Sequence, residues 1–174
     1  MSHCAAARWM RYICEVETAF VEAVAEVKAV AMPGELRPDD NGCRVGLQML
    51  DRVLIDRMLV GEITNGKDEN YQFFSNEKAV RVLEKYVERG DVSSFQSADF
   101  DAKKFPGAII ALDANKRPHA YTCSAYPWKF DEAICLLTAY KVGNLTKLQA
   151  IAIANISSNE IFMRVAATLP DVAA

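Results

Sequence analysis

A chain of 174 residues with 51% hydrophobic and 25% charged residues is long enough to bury one core without disulfides or metals. Its net charge of -3 comes from 20 basic and 23 acidic residues, which argues against a surface that binds a nucleic-acid backbone. No apolar run reaches membrane-spanning length, so we expect a protein that is not membrane-spanning. These quantities favour one globular domain with protein or small-molecule partners.

The five cysteines are odd in number and form neither a CxxC pair nor a Cys/His ligand spacing. No secretory signal pattern is recognised in the sequence. We therefore expect free thiols in an intracellular reducing compartment, either the cytoplasm or an organelle matrix such as that of the mitochondrion. No metal or obligatory cofactor is indicated.

Apolar residues recur every three or four positions near the start of the sequence, which predicts a long amphipathic helix from about Ala5 to Ala31. The apolar stripe of this helix includes Trp9, Ile13 and Phe20. Because the helix would be about 40 Å long at ~1.5 Å per residue, we expect part of this stripe to contact another protein subunit.

The only linker-like stretch of the sequence follows this helix and is rich in proline, glycine and aspartate. It divides a single domain of residues 1–174 into an N-terminal helix (1–31), a loop (32–44) and an α+β body (45–174).

The first part of the body predicts a helix and then a hairpin. Leucines at helical spacing predict a helix over 45–57, and two β-type runs, 59–63 and 71–74, flank the turn dipeptide Asn65-Gly66. A further helix is predicted over 76–90, with Gly90 just past its end.

Residues 61–67 match most of a phosphate-binding loop, G-x-x-x-x-G-K. Asp68 stands where that loop needs a serine or threonine, and the residues after it do not predict the start of a helix. We interpret the segment as the turn of the hairpin.

The last third predicts a second hairpin from runs 108–112 and 119–123, and a helix over 128–141. An alternating run over 148–156 predicts a strand, and the Ser157–Glu160 spacing predicts a capping box that opens a final helix. This order of elements predicts an α+β fold with a mainly antiparallel sheet of about five strands and helices packed on it.

His119, Tyr121 and Cys123 alternate along one predicted strand, so their side chains share one face. His119 and Cys123 would lie about 13 Å apart at ~3.3 Å per residue, too far for a nucleophile and its base. Two interpretations remain open: the row forms the wall of a small-ligand site, with His119 as an axial haem ligand, or it packs in the sheet as a structural row.

The helix after this strand offers two further candidates. Asp131 and Cys135 lie one turn apart, which fits a reactive thiol, although Cys135 stands in an apolar run where cysteine acts as a small hydrophobe. Tyr126, Trp128 and Phe130 form either the lip of a binding site or the edge of the core. No complete motif of a hydrolase, metalloprotease, dinucleotide-binding or calcium-binding protein is present, and we assign no catalytic residue.

The sequence of Ile109–Ala114, followed by Phe130–Ile134 and then by Gln149–Ile153 with Glu160, follows a familiar order. Over residues 108–169 it resembles the small haem-binding-protein family that includes the glycolate-operon G protein. The resemblance implies a profilin-like fold and, by analogy, a small-molecule or haem-binding role. The paired glycines of that family's hairpin are absent, and none of its ligand-contacting positions is carried over.

The long N-terminal helix and the lack of a complete catalytic motif in the sequence favour a non-catalytic interaction protein. We expect it to be an accessory or structural subunit of a larger assembly. The alternative is a small-ligand or haem-binding module of profilin-like fold that uses the His119 row. A third hypothesis, thiol-dependent catalysis at Cys123 or Cys135, also follows from the sequence.

Overall fold

The computed structural model describes residues 3–64, 66 and 68–171, with side chains described from Ala5 onward. Its helices and strands, in chain order, are α1 His3–Ala29, β1 Gly42–Gln48, β2 Val53–Gly61, α2 Asp68–Arg89, a 3-10 turn Ser94–Ser97, β3 Ala108–Leu112, β4 Pro118–Ser124, α3 Trp128–Lys141, α4 Lys147–Ile156 and α5 Glu160–Ala166. The strands form one antiparallel sheet in the order β2-β1-β4-β3. The predicted α+β fold with an antiparallel sheet is confirmed, with four strands in the described residues rather than about five.

Helices cover both faces of the sheet because its strands alternate two sets of apolar side chains. The front face packs against α1 and α3, and it includes Val45 and Leu47 of β1 with Tyr121 of β4. The back face packs against α2, where Ala120 of β4 and Ile110 of β3 meet that helix. The two ends of β4, the central strand next to β3, position the two cavities described below.

The segment 45–57, predicted as a helix, is instead the β1–β2 hairpin. Cys43, Val45 and Leu47 are all buried and alternate with residues on the other face, which is the period of a strand. The chain reverses where the Met49 N–H donates to the Arg52 carbonyl oxygen at 2.8 Å. The helical spacing of the leucines is incidental, because Leu50 lies in this turn and is exposed.

The predicted strand 71–74 is wrong, because these residues belong to α2, which begins at Asp68. Asn65 and Lys67, part of the predicted turn and of the phosphate-loop match, lie outside the described residues. The early start of α2 is stabilised by Asp68 in its first turn, where a carboxylate is favoured by the helix dipole. Arg44 of β1 donates to both oxygens of the Asp68 carboxylate, at 2.7 and 2.5 Å. The expectation that no helix begins after residue 67 is therefore also wrong.

The predicted strand 148–156 is the helix α4. Thr146 caps it: its side chain accepts from the Gln149 N–H at 3.1 Å, and the Gln149 side chain accepts from the Thr146 N–H at 2.8 Å. The next helix, α5, is capped by Asn159 rather than Ser157, through a bond from the Phe162 N–H at 3.1 Å. The second hairpin and the helix 128–141 lie where the sequence predicts them.

Across the described ranges, no helix has both the length and the apolar character needed to cross a bilayer.

Candidate functional site

Two cavities open at the two ends of β4. The first, the α1 cavity, has a volume of about 510 Å³ and lies between the start of α1 and the β3–β4 turn, beside His119. The second, the aromatic cleft, has a volume of about 300 Å³ and lies at the start of α3, beside Ser124. The side chains around each cavity decide which of the two is suited to a ligand.

The predicted row of His119, Tyr121 and Cys123 lies on the front face of β4 and is completely buried. His119 Nε2 lies 3.0 Å from a carboxylate oxygen of Asp113, and its Nδ1 lies 3.0 Å from the Tyr12 hydroxyl. A carboxylate only accepts, so Nε2 carries the hydrogen and Nδ1 accepts from Tyr12. Burial lowers the pKa of His119 below its usual range, and the ring is neutral at pH 7.

The Tyr12 hydroxyl connects this row to other polar side chains. We call the resulting hydrogen-bonded network the polar chain; it consists of Asp113, His119, Tyr12, Tyr121 and Asn144. The Asn144 side-chain amide donates to the hydroxyls of Tyr12 and Tyr121, at 3.0 and 2.9 Å. The two hydroxyls lie 3.3 Å apart. Both His119 nitrogens therefore have partners within the chain, and coordination of a haem iron would require one of these bonds to break.

The three residues predicted to contact a partner protein make contacts within this chain, and their contact with a partner stays a prediction. The Trp9 ring stacks on His119 with 6.4 Å between ring centroids, and Phe20 is completely buried, 6.1 Å from the Tyr121 ring. Ile13 is half-buried against the same core. The outward side of α1 carries other apolar residues, among them Met10 and Val21, which are 67% and 52% exposed.

The aromatic cleft is built by three segments that meet at the end of β4. Its wall consists of aromatic side chains from α2, from the loop before β3 and from the start of α3: Tyr71, Phe74, Phe100, Phe105 and Trp128. Phe74 and Phe105 meet edge to face, with 5.0 Å between centroids. The polar residues of the cleft are Arg37, Lys78, Ser124, Tyr126 and Asp131. The cleft therefore combines aromatic walls with several polar groups, a composition typical of small-molecule sites.

A buried ion pair lies among these polar residues. Lys78 Nζ is 3.8 Å from a carboxylate oxygen of Asp131, and both side chains are at least 95% buried. Lys78 also donates to the Cys123 carbonyl oxygen at 2.5 Å. Burial raises the pKa of Asp131 to about 7, and the positive charge of Lys78 partly opposes that rise. The carboxylate can therefore take up and release a proton near neutral pH.

The backbone beside the ion pair is strained. Ala125, between β4 and α3, has a φ of 124°, a conformation that a residue with a Cβ adopts at a cost of about 1–3 kcal/mol. The Asp131 carboxylate holds this turn, because it accepts hydrogen bonds from the backbone N–H groups of Ala125 and Tyr126. As a result, both neighbours of Ala125, Ser124 and Tyr126, line the cleft.

Two hydroxyls of the cleft are buried without a hydrogen-bond partner in the described part of the chain, those of Ser124 and Tyr126. The two residues are 2% and 6% exposed. Burial raises the pKa of Tyr126, so its hydroxyl stays neutral and can donate a hydrogen bond. A buried polar group without a partner is destabilising by about 1–3 kcal/mol. The cleft therefore contains hydrogen-bonding groups that lack partners among the described residues, whereas the groups of the polar chain satisfy one another.

The predicted candidates on the following helix separate in the structure. Tyr126 and Trp128 line the cleft, whereas Phe130 is buried in the core. Asp131 lines the cleft as well. Cys123 and Cys135 are completely buried, and burial raises the pKa of both thiols, which disfavours the reactive thiolate.

Lys78 is the residue that sequence reasoning missed. The sequence predicts a helix that begins at residue 76, which places Lys78 in its first turn. A lysine in the first turn of a helix is usually exposed and gives no sign of a site. With α2 beginning at Asp68, Lys78 lies in the buried stripe of Ser75 and Val82. A lysine on an apolar helical stripe is the signal that could have found it.

No family model, curated protein or solved structure matches this chain. The resemblance to the haem-binding-protein family stays a prediction. In the described ranges, no group of three or more His, Cys, Asp or Glu side chains is placed to hold a metal ion.

Proposed function

We propose that the protein is a small-ligand-binding α+β module and that its ligand is a planar aromatic molecule with a hydrogen-bonding group, held in the aromatic cleft. The observation that carries the proposal is the pair of unpartnered hydroxyls, Ser124 and Tyr126, among aromatic side chains. Ligand sites in proteins are mostly apolar concavities with a few convergent polar groups. The aromatic cleft has this composition.

The α1 cavity is larger but is the weaker candidate. The chief polar groups there belong to the polar chain, whose members satisfy one another. A ligand at His119 would have to replace hydrogen bonds that already exist, whereas a ligand in the aromatic cleft would supply bonds that are missing.

The size of the aromatic cleft limits the ligand. A volume of about 300 Å³ is at the lower end of the range for small-molecule sites, which favours a ligand of one or two rings. A phenol, amide or carbonyl group on the ring would pair with the hydroxyls of Ser124 and Tyr126.

The chain contains two tryptophans, so a Trp9→Phe background leaves Trp128 as the only tryptophan reporter of the cleft. In that background we expect one-ring and two-ring phenols, aryl amides and aryl ketones to change the Trp128 fluorescence and raise the Tm. Combining Ser124→Ala with Tyr126→Phe should weaken the binding roughly 5-fold or more, since a lost hydrogen bond is worth about 1 kcal/mol.

The matched control is Ser97→Ala, because Ser97 has a buried and unpartnered hydroxyl that does not line the cleft. This variant should leave the Kd unchanged. The proposal fails if no compound of the panel alters Trp128 fluorescence or the Tm. It fails equally if the double variant binds as the parent does, since the two hydroxyls then contact no ligand.

A second candidate function, the accessory subunit, is favoured by an exposed stripe on the outward side of α1. Met10, Cys14, Val21 and Ala25 are exposed and lie four or seven residues apart, which places them along one side of the helix. Such a stripe is suited to packing against a helix of another subunit.

Light scattering on the tagged protein in its native extract tests this candidate. We expect a species larger than the 19.3 kDa chain that is lost with Met10→Glu plus Val21→Glu. The control is Val87→Glu, because Val87 is 65% exposed on α2, away from the stripe. A lone monomer in the extract would rule out the accessory-subunit hypothesis.

A further inference from the structure

Lys78 lines the aromatic cleft, and its amino group is unusual among the lysines of this chain. Its side chain is 2% exposed, whereas those of Lys85 and Lys129, for example, are 31% and 33% exposed. Lysine is almost never fully buried unless it is paired. Here the Cys123 carbonyl accepts a hydrogen bond from the amino group, and the Asp131 carboxylate lies 3.8 Å from it as its ion-pair partner.

The surroundings of Nζ fix its position. A Cβ at Gly107 would lie 2.7 Å from Nζ, so the glycine leaves the space that the amino group occupies. Gly107 has a φ of 116°, a region suited to glycine. The amino group is thereby held against Gly107 and the Cys123 carbonyl, beside a carboxylate that can accept a proton.

We propose that the aromatic cleft captures an aromatic aldehyde through an imine bond to Lys78. The inference rests on the proposed function, because it requires the aromatic ring to bind between the walls. It adds a covalent step and names the ligand class. An ammonium paired with a carboxylate, next to hydroxyls that lack partners, supplies the groups that this step needs.

The step balances without any further reagent. The Lys78 ammonium passes a proton to the Asp131 carboxylate, and the free electron pair of Nζ forms a C–N bond with the aldehyde carbon. The carbonyl oxygen, hydrogen-bonded by the Tyr126 or Ser124 hydroxyl, becomes the hydroxyl of a carbinolamine with the second proton from nitrogen. Asp131 then returns its proton to that hydroxyl, which leaves as water while the C=N bond forms.

The hydrogen-bonding groups of the cleft favour an aldehyde over an amine, because an amine cannot bond covalently to Lys78. A carbonyl oxygen, in contrast, accepts the hydrogen bonds that Ser124 and Tyr126 have free to donate. An aryl aldehyde also places its ring in the same plane as the carbonyl group, as a narrow aromatic cleft requires.

The test is reductive trapping of the full chain with 4-hydroxybenzaldehyde and cyanoborohydride, followed by peptide mass spectrometry. We expect one adduct per chain, located on Lys78 and formed at least tenfold faster than on Lys85 or Lys129. Lys78→Met should abolish it. Asp131→Asn should slow it at least tenfold while leaving the labelling of Lys85 unchanged, which is the matched internal control.

Because either variant risks misfolding, protection of the wild-type chain gives a second measurement. 4-Hydroxybenzyl alcohol has the same ring but no carbonyl group, and an excess of it should protect Lys78 alone from trapping. Labelling spread evenly over the exposed lysines would overturn the inference. If the alcohol shifts Trp128 fluorescence in the Trp9→Phe background while the aldehyde leaves Lys78 unlabelled, the imine is disproved and the ligand site stands. If neither compound binds, both proposals fail.

Discussion

Replacing Gly107 by alanine should lower the free energy of unfolding by roughly 3–5 kcal/mol, the sum of backbone strain and overpacking. Gly107 has a φ of 116°, where a Cβ is strained. The new methyl group would lie 2.7 Å from Lys78 Nζ, 2.9 Å from Asp131 Cβ and 3.0 Å from the Cys123 carbonyl oxygen. Two of these atoms belong to the buried ion pair and one to a strand backbone, so none can move freely.

The matched control for this substitution is Gly90→Ala. Gly90 also has a positive φ, 79°, but nothing lies within 4 Å of a Cβ built there. Its replacement should cost about 1 kcal/mol, from the left-handed conformation alone. Urea denaturation of both variants measures the difference, and equal losses would mean that the space around Gly107 is not confined.

Replacing Glu132 by alanine should lower the free energy of unfolding by roughly 3–5 kcal/mol, because three buried donors would lose their acceptor. The Glu132 side chain is completely buried. It accepts hydrogen bonds from Ser93 at 2.7 Å, from Asn159 at 3.0 Å and from Ser157. These partners come from two segments that are distant in sequence, the residue before the 3-10 turn and the α4–α5 connection, and Glu132 of α3 joins them.

Glu132→Gln separates the loss of shape from the loss of charge. The glutamine keeps an oxygen for Ser157 and Asn159 and offers its amide hydrogens to Ser93, so the cost should be closer to 1 kcal/mol. Burial raises the pKa of Glu132, so the folded state binds a proton more tightly than the unfolded chain. The stabilisation from this group is complete below the ordinary glutamate pKa and is lost as pH rises through the folded pKa. Denaturation at pH 4.5 and pH 7.5 should show a smaller loss in Glu132→Gln than in the wild type, because Asp131, whose pKa burial also raises, titrates in both.

The sequence predicted the second half of the fold better than the first. The hairpin of β3 and β4 and the helix α3 follow local patterns that nothing in the tertiary structure opposes. The error at β1 arose because Leu47, Leu50 and Leu54 fit a helical period, while the alternation of Val45 and Leu47 with Gly46 decides the structure. Burial on a two-sided sheet outweighs a weak helical period.

The errors at 71–74 and 148–156 have one physical cause. Aromatic and β-branched residues favour strands, but Asp68 and Thr146 begin helices that carry those residues with them. In each case the capping or first-turn residue precedes the β-type run, so the local start signal outweighs the propensity that follows.

The sequence predicts some residues of the aromatic cleft and gives no sign of others. Tyr126 and Trp128 stand in one short loop, where their clustering is visible. Lys78 and Phe105 come from segments more than 20 residues away, and no local pattern relates them to that loop. The unpaired state of the Ser124 hydroxyl depends on every neighbour in three dimensions, which a sequence cannot specify.

The polar chain between α1 and β4 has a consequence for synthesis of the protein. Tyr12 bonds with His119, Tyr121 and Asn144, all more than 100 positions later. At ~5–20 residues per second, a ribosome delivers β4 about 5–20 seconds after α1 emerges. During that interval the apolar side of α1, with Phe20 at its centre, lacks β4 and α3, and only the β1–β2 hairpin is available to cover it. Although α1 is synthesised before the strands and helices described here, it is thus among the last of them to reach its native environment, and until then its apolar side needs protection from aggregation.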